Sequence, residues 1–218
     1  MVLTDSQRKA ELFIEPFKEF LGFLNYGIRH ISQGLDHIFF LLLLIFSVFL
    51  LLYNNKPQAS VSAPRHLPSI LWNIFKLATA FTLSHSLTLA LSVLNILFVP
   101  AKTIELFVIA SIVIVGLLNI FRIKTGREWL VVFCFGLFHG CGFAQALTNL
   151  GLSQKHLIIP LVAFNIGIEI GQLIIIGLCL FPLYILSRRW KYAETFIRGL
   201  CVVITLIAVF WFLEKIVG

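Results

Sequence analysis

Charge is what this chain has least of. Only 12% of its 218 residues are Asp, Glu, Lys or Arg, 59% are hydrophobic, and the mean hydropathy is +0.98. Soluble domains run at about 25% charged and about 45–50% apolar. A water-soluble globule is therefore excluded, and an integral membrane protein with nearly all of its length in the bilayer is expected. Methionine is the next scarcity: the sole one is Met1, which argues against a methionine-lined Cu(I) path. Cysteine is sparse and unpatterned. Cys134, Cys141, Cys179 and Cys201 lie within apolar runs with no CxxC spacing, so they read as reduced core residues behaving as small hydrophobes. There is no long soluble domain, low-complexity tract or nucleotide-binding loop. The first twenty residues hold no continuous apolar core, so no cleavable secretory signal is expected.

What is present divides into a short leading segment and a long apolar body. Residues 1–23 mix Asp5, Glu11, Glu15 and Glu19 with Arg8, Lys9 and Lys18, while Leu12, Phe13, Phe17, Phe20 and Leu21 recur at helical spacing. That pattern predicts an amphipathic helix in the membrane interface, kinked or interrupted at Pro16. A helix needs about 20 apolar residues to cross the hydrocarbon. Within residues 24–218, six stretches reach that length: 24–53, 70–98, 102–122, 129–150, 157–186 and 193–216. The expected fold is an all-α, six-transmembrane-helix bundle. Gly27-Ile-Arg-His30 resembles Gly136-Leu-Phe-His139, and Phe81-x3-His85 loosely resembles Phe164-x4-Glu169. These echoes suggest a 3+3 inverted repeat of the kind found in transporters.

The net charge of +7 reads as topology rather than as nucleic-acid binding, because the basic residues fall in short connections. One side receives Lys56, Arg65, Arg122, Lys124, Arg127, Arg188, Arg189 and Lys191; the loops of the other receive Lys102 and Lys155. The positive-inside rule puts the first group in the cytoplasm and both termini outside. A bacterial inner membrane is the expected location. The lipid bilayer and a metal ion are the expected partners, with a homo-oligomer open. The loop from Asn54 to Ser69 is the only sizeable one, and His66 within it reads as a bystander.

Against this apolar background the ionisable residues inside the spans stand out. Each costs several kcal/mol in hydrocarbon, so such residues face a partner, a cavity or an ion path. At about 1.5 Å per residue, His37, His85, His139 and Glu169 fall about 15–22 Å from their helix ends, near the midplane of a slab about 30 Å thick. His30 and Glu105 fall near the outer mouth. On an unbroken helix His30 and His37 lie about 10.5 Å apart along the axis, as successive stations, unless Gly27 and Gly34 allow a break that brings them closer. Asp36 is expected either to orient a histidine on another helix or to pair with Arg29. Asn165, Glu169 and Gln172 share one helix face, with Gly167 and Gly171 admitting a neighbouring backbone. Thr82, Ser84, Ser86 and Thr88 around His85, with Asn119 and Gln145, read as interhelical hydrogen-bonders. His30, Asp36, His37, His85, Glu105, His139 and Glu169 are the candidate metal ligands.

These segments resemble a known family. His30-x5-Asp36-His37 followed by Phe39-Phe40 is similar to the first-helix signature of the HupE/UreJ group of hydrogenase and urease accessory proteins. Phe81-Thr-Leu-Ser-His85, Phe138-His139-Gly140 and Phe164-Asn-Ile-Gly-Ile-Glu169 add to it, and the likeness covers roughly residues 25–185. Where one branch continues the Phe-His-Gly segment with a second histidine and a glutamate, this chain reads Cys-Gly-Phe-Ala-Gln, so it resembles the more divergent second branch. The resemblance implies a multi-pass permease for nickel, sometimes extended to cobalt, serving metalloenzyme assembly, and neutral imidazoles would suit zinc as well. Two rivals share the same residues. One is an intramembrane zinc hydrolase, in which three histidines hold the metal and a carboxylate activates water. The other is a non-transporting assembly factor whose polar residues only pack helices.

Overall fold

Hydrocarbon offers no partner to a backbone N–H or C=O, so apolar chain of this length must satisfy its backbone within helices. The computed structural model describes residues 5–54, 67–149, 158–189 and 192–217, with side chains described over 17–50, 68–142, 158–187 and 192–217. Among the described residues there are seven α-helices and no strand: α1 (Asp5–Gln33), α2 (Leu35–Asn54), α3 (Leu67–Val93), α4 (Ala101–Ile120), α5 (Glu128–Asn149), α6 (Ile158–Arg189) and α7 (Ala193–Val217). The protein is an all-α integral membrane protein.

Two expectations change. The first long apolar stretch is two helices, because the chain breaks at Gly34 and turns through 71° between Phe17–Gln33 and Leu35–Leu50. By length and composition, α3, α4, α6 and α7 are candidate membrane spans, and the bent α1–α2 pair makes a fifth if it is one span. α5 runs from Glu128 to Asn149, and its described side chains, Glu128–Gly142, are an apolar helical stretch. Among the described residues the candidate spans thus number four, or five with the bent pair, and α5 is the remaining helix of the six stretches that the sequence predicts. In addition, the leading segment is not a separate helix: α1 runs unbroken from Asp5 through Pro16 and past residue 23 to Gln33. His66 and Lys155 lie outside the described residues, as do most of the loop before α3 and the side chain of Gln145.

The bundle is assembled from close helix crossings at small residues. α1 crosses α6 where Gly27 meets Gly167, and α3 crosses α5 along Gly136 and Gly140. A Cβ at Gly27 would overlap the Phe164 carbonyl oxygen, and one at Gly167 the Leu24 carbonyl oxygen. A Cβ at Gly136 would run into Ser84 Oγ and the Phe81 carbonyl oxygen, and one at Gly140 into the His85 carbonyl oxygen and Thr88 Oγ1. In lipid, where no hydrophobic force pulls helices together, such backbone approach supplies the dispersion contact that holds them. α4 packs on α7 with Gly116 against the Thr205 side chain. The ends of that pair are tied by ions: Arg122 to Glu194 at one, Lys215 to Glu105 (2.6 Å) at the other. Arg198 also donates to the Ile120 carbonyl oxygen (3.0 Å), satisfying an acceptor of the last α4 turn.

α2 occupies the middle of the molecule. Leu43, Ile45 and Phe49 are fully enclosed, and Asn119 on α4 donates to the Leu43 carbonyl oxygen (2.8 Å). The expected interhelical role of Asn119 is the one found. Thr82 and Ser86 on α3 likewise bond Gln172 (3.1 Å) and Asn165 (2.6 Å) on α6. None of the four cysteines is in a disulfide, but only Cys201 is a buried core residue, and Cys134 is exposed.

Overpacking a close crossing costs about 1–3 kcal/mol, whereas a methyl added in open space changes stability by less than about 0.5 kcal/mol. Gly140→Ala should therefore lower the thermal midpoint of the detergent-solubilised protein by several degrees. Gly177→Ala, which meets nothing within 4 Å, should leave it unchanged. Equal midpoints for the two variants would contradict the crossing.

Candidate metal centre

The break at Gly34 builds the site. α1 ends one residue before it and α2 begins one residue after it, so the seven-residue interval from His30 to His37 no longer runs along one axis. The turn folds the two imidazoles together, with ring centroids 4.5 Å apart. This corrects the placement of His30 at an outer mouth as a separate station; the alternative, a glycine break, is what occurs. Only glycine fits the inside of this corner. A Cβ at Gly34 would lie 2.8 Å from His37 Nδ1, 2.9 Å from Asp36 Oδ1 and 2.9 Å from the His30 carbonyl oxygen.

Two further helices complete the cluster. His85 on α3 brings its ring to 6.0 Å from His30 and 6.3 Å from His37, and His139 on α5 lies 5.0 Å from His37. His37 is the hub. One candidate ligand atom from each of His30, His37 and His85 lies within 4.8 Å of the others, and the same holds for Asp36, His37 and His139. Two overlapping groups, one all-imidazole and one with a carboxylate, therefore share His37. Each can hold a divalent ion of borderline softness.

The surroundings are aromatic and buried. Phe81 stands edge-on to His139 at 5.1 Å, Phe40 lies 5.2 Å from it, and Phe164 lies 5.5 Å from His30. His85 is 0% exposed, His139 2% and His37 7%. A cavity of about 10 Å³ opens beside His37, bordered by Phe40, Phe81 and Gln172, the size that admits a single water. Neither ring nitrogen of His37, neither of His85, and not Nδ1 of His139 has a hydrogen-bond partner among the described residues. Asp36 Oδ1 approaches His37 Nδ1 to 3.1 Å, which sets the carboxylate against that edge of the imidazole. Asp36 thus sits against the histidine next to it in sequence, and in one group with His139. No pair between Asp36 and the exposed Arg29 occurs among the described residues.

The remaining acids lie apart. Glu105 pairs with Lys215 and borders a separate cavity of about 180 Å³ with Ser92, Asn95 and Cys141. Glu169 is half-buried on the α6 face between Asn165 and Gln172 and belongs to neither ligand group. The residue that sequence reasoning missed is Ser111 on α4, whose Oγ is 3.2 Å from His139 Nε2. Its signal was slight: a lone hydroxyl within Phe-Val-Ile-Ala-Ser-Ile-Val-Ile.

Residues 6–215 match the family model described as HupE / UreJ protein. The chain belongs to the HupE/UreJ family. No curated protein and no solved structure matches it. For a HupE/UreJ protein, nearly all of whose length is matched, a role in metal handling as an accessory protein or permease follows from membership. The clustered histidines and Asp36 are of the right chemistry for it.

Because Gly34 gives room to atoms of both ligand groups, Gly34→Ala should weaken Ni²⁺ binding to the purified protein by about tenfold or more, the usual scale for displaced support around a metal. Titration calorimetry in detergent would measure it. An unchanged affinity would mean that the corner does not shape the site.

Proposed function

We propose that this HupE/UreJ protein is a permease that carries a divalent transition-metal cation, nickel foremost, through the centre where α1, α2, α3 and α5 meet. The observation that carries the reading is the set of ring nitrogens on His37, His85 and His139 without a hydrogen-bond partner in a buried interior. Leaving a buried polar group unpaired costs about 1–3 kcal/mol, and packing alone gives no return on several at one point. A cation that trades part of its hydration shell for those nitrogens does. His30, His37, His85, His139 and Asp36 would be the ligands, and neutral imidazole suits nickel, cobalt and zinc. With His37 common to both groups, an ion can pass from one to the other without letting go of every ligand at once. Glu105, beside the larger cavity, would receive a cation there only by exchanging its partner Lys215. Glu169 would add negative charge along α6 outside the ligand set.

The architecture supports the same reading. A six-span, 3+3 inverted repeat pairs α1–α2 with α5, α3 with α6 and α4 with α7, and the glycine crossings respect that pairing. Gly27, three residues before His30, meets the Phe164 carbonyl oxygen; Gly136, three residues before His139, meets the Phe81 carbonyl oxygen. The crossings α1–α6 and α3–α5 exchange under the repeat, and α4–α7 maps onto itself. Transporters built this way hold their cargo at the repeat interface, beside broken helices, and α1–α2 is such a helix. The excess of Lys and Arg on one set of loops supports termini outside a bacterial inner membrane. An inside-negative potential then supplies about 4.6 kcal/mol per 100 mV to a divalent ion moving inward.

The test is uptake of radioactive nickel into proteoliposomes holding an inside-negative potential. The wild type and Cys134→Ala, altered at an exposed side chain, should accumulate the ion at similar rates. His37→Ala should lose at least about tenfold, and dissipating the potential should slow the wild type. Equal rates for wild type and His37→Ala would overturn the proposal.

A further inference from the structure

We infer that Ser111 is a positioning residue that fixes which nitrogen of His139 faces the cation: it accepts the Nε2 proton and leaves Nδ1 as the ligand atom. The inference deepens the permease reading and rests on it for the identity of the cargo. Ser111 Oγ lies 2.6 Å from the Val108 carbonyl oxygen on its own helix, and a carbonyl only accepts, so the single hydroxyl proton is committed there. Oγ is left with lone pairs. His139 Nε2, at 3.2 Å, must then be the N–H donor.

A neutral imidazole has one N–H and one bare nitrogen, so a proton held on Nε2 makes Nδ1 the lone-pair atom. Nδ1 of His139 is the buried atom with no hydrogen-bond partner, on the residue that forms a ligand group with Asp36 and His37. Both members of the pair are sealed from solvent, with Ser111 1% and His139 2% exposed, so no bulk water competes for the Nε2 proton. Metal-bound histidines generally donate their second nitrogen to an oxygen that fixes tautomer and ring orientation. Ser111 occupies that position. Phe40 and Phe81, packed on the imidazole at 5.2 and 5.1 Å, offer it no alternative acceptor.

The experiment is ¹⁵N NMR of the full chain, histidine-labelled, metal-free and in detergent, with the His139 signals identified by their loss in His139→Gln. The wild type should show a protonated Nε2 and a bare Nδ1. Ser111→Ala should shift His139 towards a mixture of tautomers and weaken Ni²⁺ binding about 10–100-fold, while Ser111→Thr, which keeps the hydroxyl, should restore both. A wild-type His139 protonated on Nδ1, or a tautomer unmoved by Ser111→Ala, would overturn the inference. Because the tautomer is read without metal, its outcome is separate from that of nickel uptake: a chain that keeps the Nε2–H form yet carries no nickel would sink the permease and leave the Ser111 assignment standing.

Discussion

An imidazole enclosed by hydrocarbon and aromatic rings must find something for each of its two nitrogens, or the protein carries the cost of stripping water from them. In this chain His37, His85 and His139 are enclosed, and their nitrogens are largely unanswered by the protein. The cost is borne at one point, where four helices meet. The glycine crossings bring α3 to α5 and α1 to α6 closely enough for His85, His139 and His30 to converge. The ion pairs at both ends of α4–α7 secure the helix that carries Ser111. The rest of the fold can be understood as scaffolding for that convergence.

The broken helix adds electrostatics to geometry. Ending α1 beside the cluster turns the carbonyl end of a helix dipole towards it, next to His30, which favours a cation. Starting α2 there introduces a positive helix end, and Asp36 in the first turn of α2 offsets it. A continuous helix would offer neither free end and would hold His30 and His37 more than a full turn apart. Glycine at 34 permits the bend because side-chain and carbonyl atoms of the site already occupy the space a methyl would need.

The sequence made the helical class and the membrane setting legible through the scarcity of charge, and family membership through the spacing of His30, Asp36, His37 and the Phe-His-Gly segment. Helical periodicity placed His37, His85 and His139 at similar depth because depth follows from distance to a helix end. It misplaced His30 because rise per residue assumes an unbroken axis, and no count of residues shows whether a glycine bends or merely packs. It grouped Glu169 with the histidines because depth says nothing of azimuth: Asn165 and Gln172, on the same face, turn towards Ser86 and Thr82. Ser111 was invisible for a related reason. A serine in an apolar helix usually bonds its own backbone, and only the α4–α5 approach gives it a second partner.

Whether the converging nitrogens take a metal together is tested most directly by X-ray absorption at the nickel edge of the purified, Ni²⁺-loaded chain. The expected result is one equivalent of retained nickel in a nitrogen and oxygen shell, with the outer-shell scattering of at least two imidazoles and no sulfur neighbour. The imidazole signal should be lost in His37→Ala/His139→Ala. Nickel without imidazole scattering, or bound through cysteine sulfur, would contradict the shared site.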